Sequence, residues 1–208
     1  MNIHTIVLAA GEGSRMKSNR AKSLQRIGGT SMLEKICLTA GSISPKITLV
    51  VGFDKDSVIK ESKNYNLEIS TADQPKPIGT GDAVKCGIAE VEDGSKVLVL
   101  YGDVPLIKKE TLEELISSSD GGLSILTTTL EDPHGYGRVK KDDLGNALAI
   151  VEEKDASTDE KNIKEIFTGV LCGQKELIDE GLAKLDNNNA AGEFYLTDLV
   201  SIISNKGF

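Results

Sequence analysis

Hydrophobic positions fall into two kinds of run, continuous stretches and stretches spaced three or four residues apart. Residues 3–10 form the first, near-continuous apolar run, which is followed by Gly11. A run without polar alternation is buried on both faces, which predicts a parallel strand. Residues 47–51, ended by Gly52, and residues 96–101 predict two more such strands. Between them, Met32, Ile36 and Ala40 share one helical face with Leu33 and Cys37 beside them, and Ser31-Met32-Leu33-Glu34 offers a capping box. Residues 54–63 read as a polar helix and 67–69 as a short strand. A helix is predicted over 79–91, where Ala83, Cys86, Gly87 and Ala89 permit close packing, and another over 111–117 with Leu112, Leu115 and Ile116 inward. From residue 123 strands dominate, at 123–128, 137–140, 147–151 and 166–171, before two helices at 175–185 and 194–204. The first half is βαβ-like and the second strand-rich, so the expected class is α/β with a mixed sheet of two unlike halves. No repeat, low-complexity stretch or linker interrupts the pattern, and residues 1–208 are expected to form one domain.

Composition narrows the classes. Hydrophobic residues make up 39% and charged residues 27%, which is the globular range. The net charge of −8 disfavours nonspecific binding to nucleic acid or to an anionic membrane surface. Three cysteines, Cys37, Cys86 and Cys172, are far apart and odd in number. They support neither a disulfide framework nor a zinc site, and a cytoplasmic location follows as the expectation. The first apolar run lacks a basic leader and is too short for a signal peptide, and no stretch reaches the ~20 apolar residues of a membrane span.

Charge becomes informative when it is localised. After the first strand comes Leu8-Ala9-Ala10-Gly11-Glu12-Gly13-Ser14-Arg15-Met16, followed by Lys17, Arg20, Lys22 and Arg26, with no acid from Arg15 to Arg26. Glycines let the backbone turn tightly and approach a ligand, consecutive N–H groups make an anion-binding concavity, and a guanidinium grips phosphate oxygens in a fork. The stretch is therefore a candidate polyphosphate site. It lacks the last glycine of the dinucleotide fingerprint and the Gly-Lys-Ser/Thr of a P-loop. Taken alone, the Gly-x-Gly favours an ordinary strand-to-helix turn bearing a solvated basic face.

Two further constellations change the picture. Asp103, in Tyr101-Gly102-Asp103-Val104-Pro105, lies just after a buried strand, at the sheet edge where open α/β folds bind ligands. A hard carboxylate there suits Mg²⁺; taken alone the residue reads first as a turn aspartate bonding its own backbone, and the phosphate-binding loop tips the reading to metal ligation. Gln74-Pro75-Lys76-Pro77-Ile78-Gly79-Thr80-Gly81 is a glycine-rich turn opening a helix, and Gln74 offers both a donor and an acceptor to an imide edge. No Ser-His-Asp or Cys-His set is present as a candidate for covalent catalysis.

In order, L-A-A-G-x-G-S-R-M, Q-P-x-x-x-G-T-G, Y-G-D-V-P-L, G-Y-G-R, V-E-x-K-D-A and N-N-N-A-x-G-E-x-Y-x-T-D resemble the sugar-phosphate nucleotidyltransferases. They are most similar to the uridylyltransferase domain of the bifunctional N-acetylglucosamine-1-phosphate uridylyltransferase/acetyltransferase family of bacterial cell-wall precursor synthesis. The resemblance implies a Rossmann-like three-layer fold with a mixed, mostly parallel sheet, and transfer of uridylyl from UTP to a sugar 1-phosphate. It implies that Leu8, Ala10, Gly11, Gln74, Gly79 and Thr80 surround the uracil, with Gly13 in the phosphate loop and Gly102 by the ribose. Arg15 and Lys22 would hold the triphosphate, Asp103 would bind Mg²⁺, and Gly137, Glu152, Tyr195 and Thr197 would line the sugar side.

Departures from the family pattern set further expectations. Ala21 replaces the proline usual before the catalytic lysine, and Asp82 stands where histidine is common. Phe167 stands at the position of a sugar-binding asparagine and is expected to face the sugar pocket, with a core ring as the alternative. The chain stops at Phe208, before a later asparagine that supplies a second metal ligand and before the acetyltransferase β-helix. That second activity is expected to be absent from residues 1–208, and a monomer is expected without that domain. The alternatives are a nucleotidyltransferase for another sugar phosphate and a nucleotide-binding domain with little turnover.

Overall fold

A computed structural model describes residues 2–13 and 16–205. The first half contains β1 (Ile3–Leu8), β2 (Arg26–Ile27), β3 (Thr30–Ser31), α1 (Met32–Gly41), β4 (Lys46–Val51), α2 (Lys55–Ser62), β5 (Ile69–Asp73), α3 (Thr80–Ile88) and β6 (Lys96–Tyr101). The second contains α4 (Lys109–Ser118), β7 (Leu123–Thr129), β8 (Arg138–Lys141), β9 (Ala147–Val151), β10 (Glu165–Gln174), α5 (Lys175–Leu182) and α6 (Asp198–Ser204). The main sheet runs β5-β4-β1-β6-β10-β8-β9, with β7 on β10. Strands β5, β4, β1 and β6 are parallel, and every pairing that involves β7 to β10 is antiparallel. The two unlike halves expected from the sequence are these two parts of one sheet.

The continuous apolar strands are two-faced, and each face has its own core. Val7, Leu49, Val51, Leu98 and Leu100 pack with residues of α1, α2 and α4. Ile6, Val50, Val97 and Val99 pack with residues of α3, α5 and α6. This three-layer arrangement is Rossmann-like and explains why these strands show no polar alternation. At the start of α1, the Ser31 hydroxyl accepts the Glu34 N–H at 3.1 Å, half of the expected capping box.

Differences from the sequence reading have local causes. The strand placed at 67–69 lies at Ile69–Asp73, because this edge strand is mostly solvated and buries only Ala72. Strands β2 and β3 form a hairpin across Gly28 and Gly29, both at positive φ, too short for periodicity to reveal. The helix placed at 194–204 begins only at Asp198, since residues 194–197 cross the start of α3 instead. β10 runs on to Gln174, and its register shifts between Phe167 and Leu171. Gly169, at φ 90°, sits within that shift, and a Cβ there would meet the Tyr101 ring at 2.7 Å.

Candidate active site

Parallel strands end together, so the loops after β1, β4, β5 and β6 gather at one edge of the sheet. Those after β1, β5 and β6 enclose a cavity of about 310 Å³ whose lining includes Leu8, Ala10, Gly11, Lys22, Gln74, Gly79, Thr80 and Asp103. Residues from three separate motifs thus meet in one space. Gly102 lies between two lining residues, Tyr101 and Asp103, and donates its N–H to the Leu8 carbonyl at 2.9 Å. Arg15 lies outside the described residues. Tyr101, Ser23 and Glu193 also line the cavity. Tyr101 belongs to the Y-G-D-V-P-L motif and Glu193 to N-N-N-A-x-G-E-x-Y-x-T-D, so both are marked in the sequence by the motifs that hold them.

One wall is the start of α3. The Gln74 amide nitrogen donates to the Gly79 carbonyl at 3.0 Å and to the Asp82 carboxylate at 2.8 Å. With both N–H groups engaged, Gln74 offers a ligand the acceptor Oε1 rather than the donor and acceptor expected of it. Asp82, a departure from the usual histidine, thereby fixes which way the amide faces. The Thr80 hydroxyl accepts the Leu196 N–H at 3.1 Å, which ties that side chain to the segment before α6. Gly79, at φ 129°, and Gly81 pack beneath residue 194, whose carbonyl accepts the Gly81 N–H at 2.8 Å and whose N–H donates to Ile78 at 2.8 Å.

The opposite wall carries charge. Lys22 opens a single helical turn, Lys22–Leu24, with Ser23 and Leu24 buried as its anchor. Its stem crosses Gly13, where a Cβ would meet the lysine Cβ at 2.6 Å and φ is 67°. Its ammonium pairs with the Asp103 carboxylate, which joins the loop after β1 to the loop after β6.

The sugar side expected from the sequence forms a neighbouring acidic cluster. Thr197 donates to Glu152 at 3.0 Å, and Tyr195 donates to Asp155 at 3.2 Å. Glu152 lies under Gly137, where a Cβ would come within 3.6 Å of its Oε1. Burial raises the Glu152 carboxyl above its ordinary value. Burial and then the Asp155 charge push the Tyr195 phenol up to about 12. Phe167 does not join this cluster. The residue is 6% exposed and belongs to the hydrophobic core that includes residues of α5 and α6, the core placement given above as the alternative.

Asp198, at the start of α6, is pushed up to about 6 by burial, with Asp186, Glu152 and Asp155 adding to the effect. A carboxyl raised by folding contributes stability below its unfolded value near 4, and that stability is lost as pH rises through about 6. Asp198→Asn should therefore raise Tm at neutral pH by roughly 2–4 °C, the effect of about 1 kcal/mol on a domain of this size. It should also flatten the Tm profile between about pH 4 and 6. An unchanged thermal profile would contradict the burial argument.

Comparisons with known proteins agree with this geometry. A family profile described as MobA-like NTP transferase domain matches residues 5–178. The chain is 41% identical over 208 residues to the bifunctional protein GlmU of Alcanivorax borkumensis, covering 100% of this chain and 46% of that protein. It is 44% identical over 199 residues to bifunctional protein GlmU of a Psychrobacter species, covering 95% and 43%. For that of Neisseria gonorrhoeae the identity is 42% over 200 residues, covering 96% and 43%. The chain spans less than half the length of these curated relatives.

Proposed function

We propose that this chain, which belongs to the MobA-like NTP transferase domain family, transfers uridylyl from UTP to N-acetylglucosamine 1-phosphate, giving UDP-N-acetylglucosamine and pyrophosphate. The observation that carries this reading is a single cavity with an acceptor-presenting amide on one wall and the Lys22–Asp103 pair on the other. It occurs in a chain about 41% identical to proteins named bifunctional protein GlmU.

An oxygen of the sugar phosphate attacks the α-phosphorus of UTP in line, the bond to the bridging oxygen breaks, and pyrophosphate leaves with that electron pair. Catalysis of this kind is positioning and charge neutralisation, so no protein nucleophile is required. Lys22, with Arg15, offsets the repulsion between two anionic substrates and the charge on the departing pyrophosphate. Glu152, Tyr195 and Thr197 offer polar groups to the sugar.

Among the described residues no group of three or more His, Cys, Asp or Glu side chains is placed to cage a metal. A lone carboxylate beside a phosphate site suits Mg²⁺, which uses one or two carboxylates together with substrate oxygens. Asp103 would hold that ion, which when bound neutralises charge on the phosphates.

Base choice follows from Gln74. Its Oε1 accepts from the N3–H of uracil, whereas cytosine presents an acceptor at the same place. Activity with UTP should exceed that with CTP by at least about tenfold in kcat/KM, because a mismatch leaves buried polar groups unpaired. Pyrophosphate release should be measured with each of the four nucleotides, and with N-acetylglucosamine, glucose and galactosamine 1-phosphates as acceptors. Preference for another sugar phosphate would reassign the acceptor, and nucleotide binding without release would make this a binding domain.

A further inference from the structure

The loop that carries Lys22 is held at both ends by one short turn after β4. At its beginning, the Phe53 N–H donates to the Ala10 carbonyl at 3.1 Å. At its end, the Ala21 N–H donates to the Asp54 carboxylate at 3.1 Å. A third tie runs from Arg20 to Glu61 of α2 at 2.8 Å. Asp54 is unusual in two respects. It has left-handed backbone angles, φ 53° and ψ 34°, which a non-glycine residue adopts at some cost. It also occupies the N-cap position of α2 without capping it, since its side chain makes no bond to the helix. An aspartate there ordinarily accepts a helix N–H. Here its carboxylate faces the neighbouring loop instead.

Ala21 explains what that carboxylate does. The residue is fully buried, with φ −49° and ψ 138°, close to the conformation a proline ring enforces. Alanine has no ring to enforce it. Alanine does have the N–H that proline lacks, and that N–H is the group Asp54 engages. We propose that Asp54 is a positioning residue for Lys22, its hydrogen bond to Ala21 supplying the restraint that a proline ring would give at that position. The proposal rests on the reading of Lys22 as a phosphate ligand given above. Without the bond, the backbone before Lys22 gains freedom and the ammonium is delivered to the phosphates less reliably, which costs rate more than substrate affinity.

The discriminating variant is Asp54→Gly. Glycine takes the left-handed angles freely, so the substitution removes the carboxylate without straining the turn. Asp54→Asn retains an acceptor. Exchange of the Ala21 amide with solvent deuterium, followed by NMR, reads the bond directly and needs no turnover. Exchange should be slow in the parent and in Asp54→Asn, and at least about tenfold faster in Asp54→Gly. In uridylyl transfer, Asp54→Gly should lower kcat by roughly tenfold with a smaller change in KM, while Tm moves little. Adding Ala21→Pro to Asp54→Gly should restore most of the lost kcat, which a merely structural role would not do. Equal Ala21 exchange in the parent and Asp54→Gly would overturn the proposal, as would an unchanged kcat or a failure of proline to rescue. Should the parent release no pyrophosphate, the reading of the reaction fails, and the exchange comparison still decides whether Asp54 holds the loop.

Discussion

Asp103→Asn should lower turnover by about 10²–10³-fold, the loss typical of one preorganised charge-stabilising group, and leave the fold intact. Asparagine has nearly the same volume, so packing at the end of β6 is preserved. The ion pair it breaks, to Lys22, is partly exposed on both sides, and such pairs contribute at most about 1 kcal/mol. What disappears is the anionic oxygen that would hold the metal next to the transferring phosphate. Tm should therefore stay within roughly 3 °C of the parent. Steady-state rates over a range of Mg²⁺ concentrations, with thermal unfolding of the same samples, test both halves. Parent-like turnover would remove Asp103 from the machinery, and a large fall in Tm would make it structural.

Gly79→Ala should damage stability and nucleotide binding together. The φ of 129° at this position disfavours any side chain, and a Cβ would stand 2.6 Å from the Phe194 amide nitrogen and closer still to its carbonyl. Both obstacles are backbone, so neither can swing aside as a side chain would. Residues 194–197 would have to lift from the start of α3, breaking the bonds from Phe194 to Ile78, from Gly81 to Phe194 and from Leu196 to Thr80. A loss of roughly 2–4 kcal/mol follows, or a fall in Tm of roughly 4–16 °C. Gly11→Ala is the matching contrast. Nothing lies within 4 Å of a Cβ there, so Tm should hold while a methyl group enters the space left for the nucleotide. Thermal unfolding and UTP calorimetry on both variants separate the two cases. A stable Gly79→Ala protein would mean that residues 194–197 do not brace this wall.

How legible each part was depended on whether its cause lay close by in sequence. Strands β1, β4 and β6 were plain because burial on both faces forces a continuous apolar run, and α1 because Ser31 and Glu34 announce its start. The edge strand β5 was displaced because solvation removes the hydrophobic signal that defines a strand. The loop after β1, Asp103 and the Gly79 turn were visible as motifs, and that they meet in one cavity follows from parallel strands ending at a common edge. What stayed hidden were contacts between distant segments. Nothing near Gln74 in the sequence says that its N–H groups are taken up by Gly79 and Asp82. Nothing near Thr80 says that its hydroxyl serves Leu196. Phe167 was read from its position in a motif, whereas its environment is set by the core it packs into. The side chain of Asp54 bonds a residue 33 positions away, beyond the reach of any local pattern.

Phosphorus NMR of the chain incubated with UTP, N-acetylglucosamine 1-phosphate and Mg²⁺ tests the central claim most directly. In-line transfer predicts a diphosphate-sugar signal and inorganic pyrophosphate growing in equal amounts, with the sugar's own phosphorus retained in the product and no signal when the sugar phosphate is omitted. Cleavage of UTP to UDP or UMP regardless of the sugar phosphate, or no change in either substrate, would contradict it.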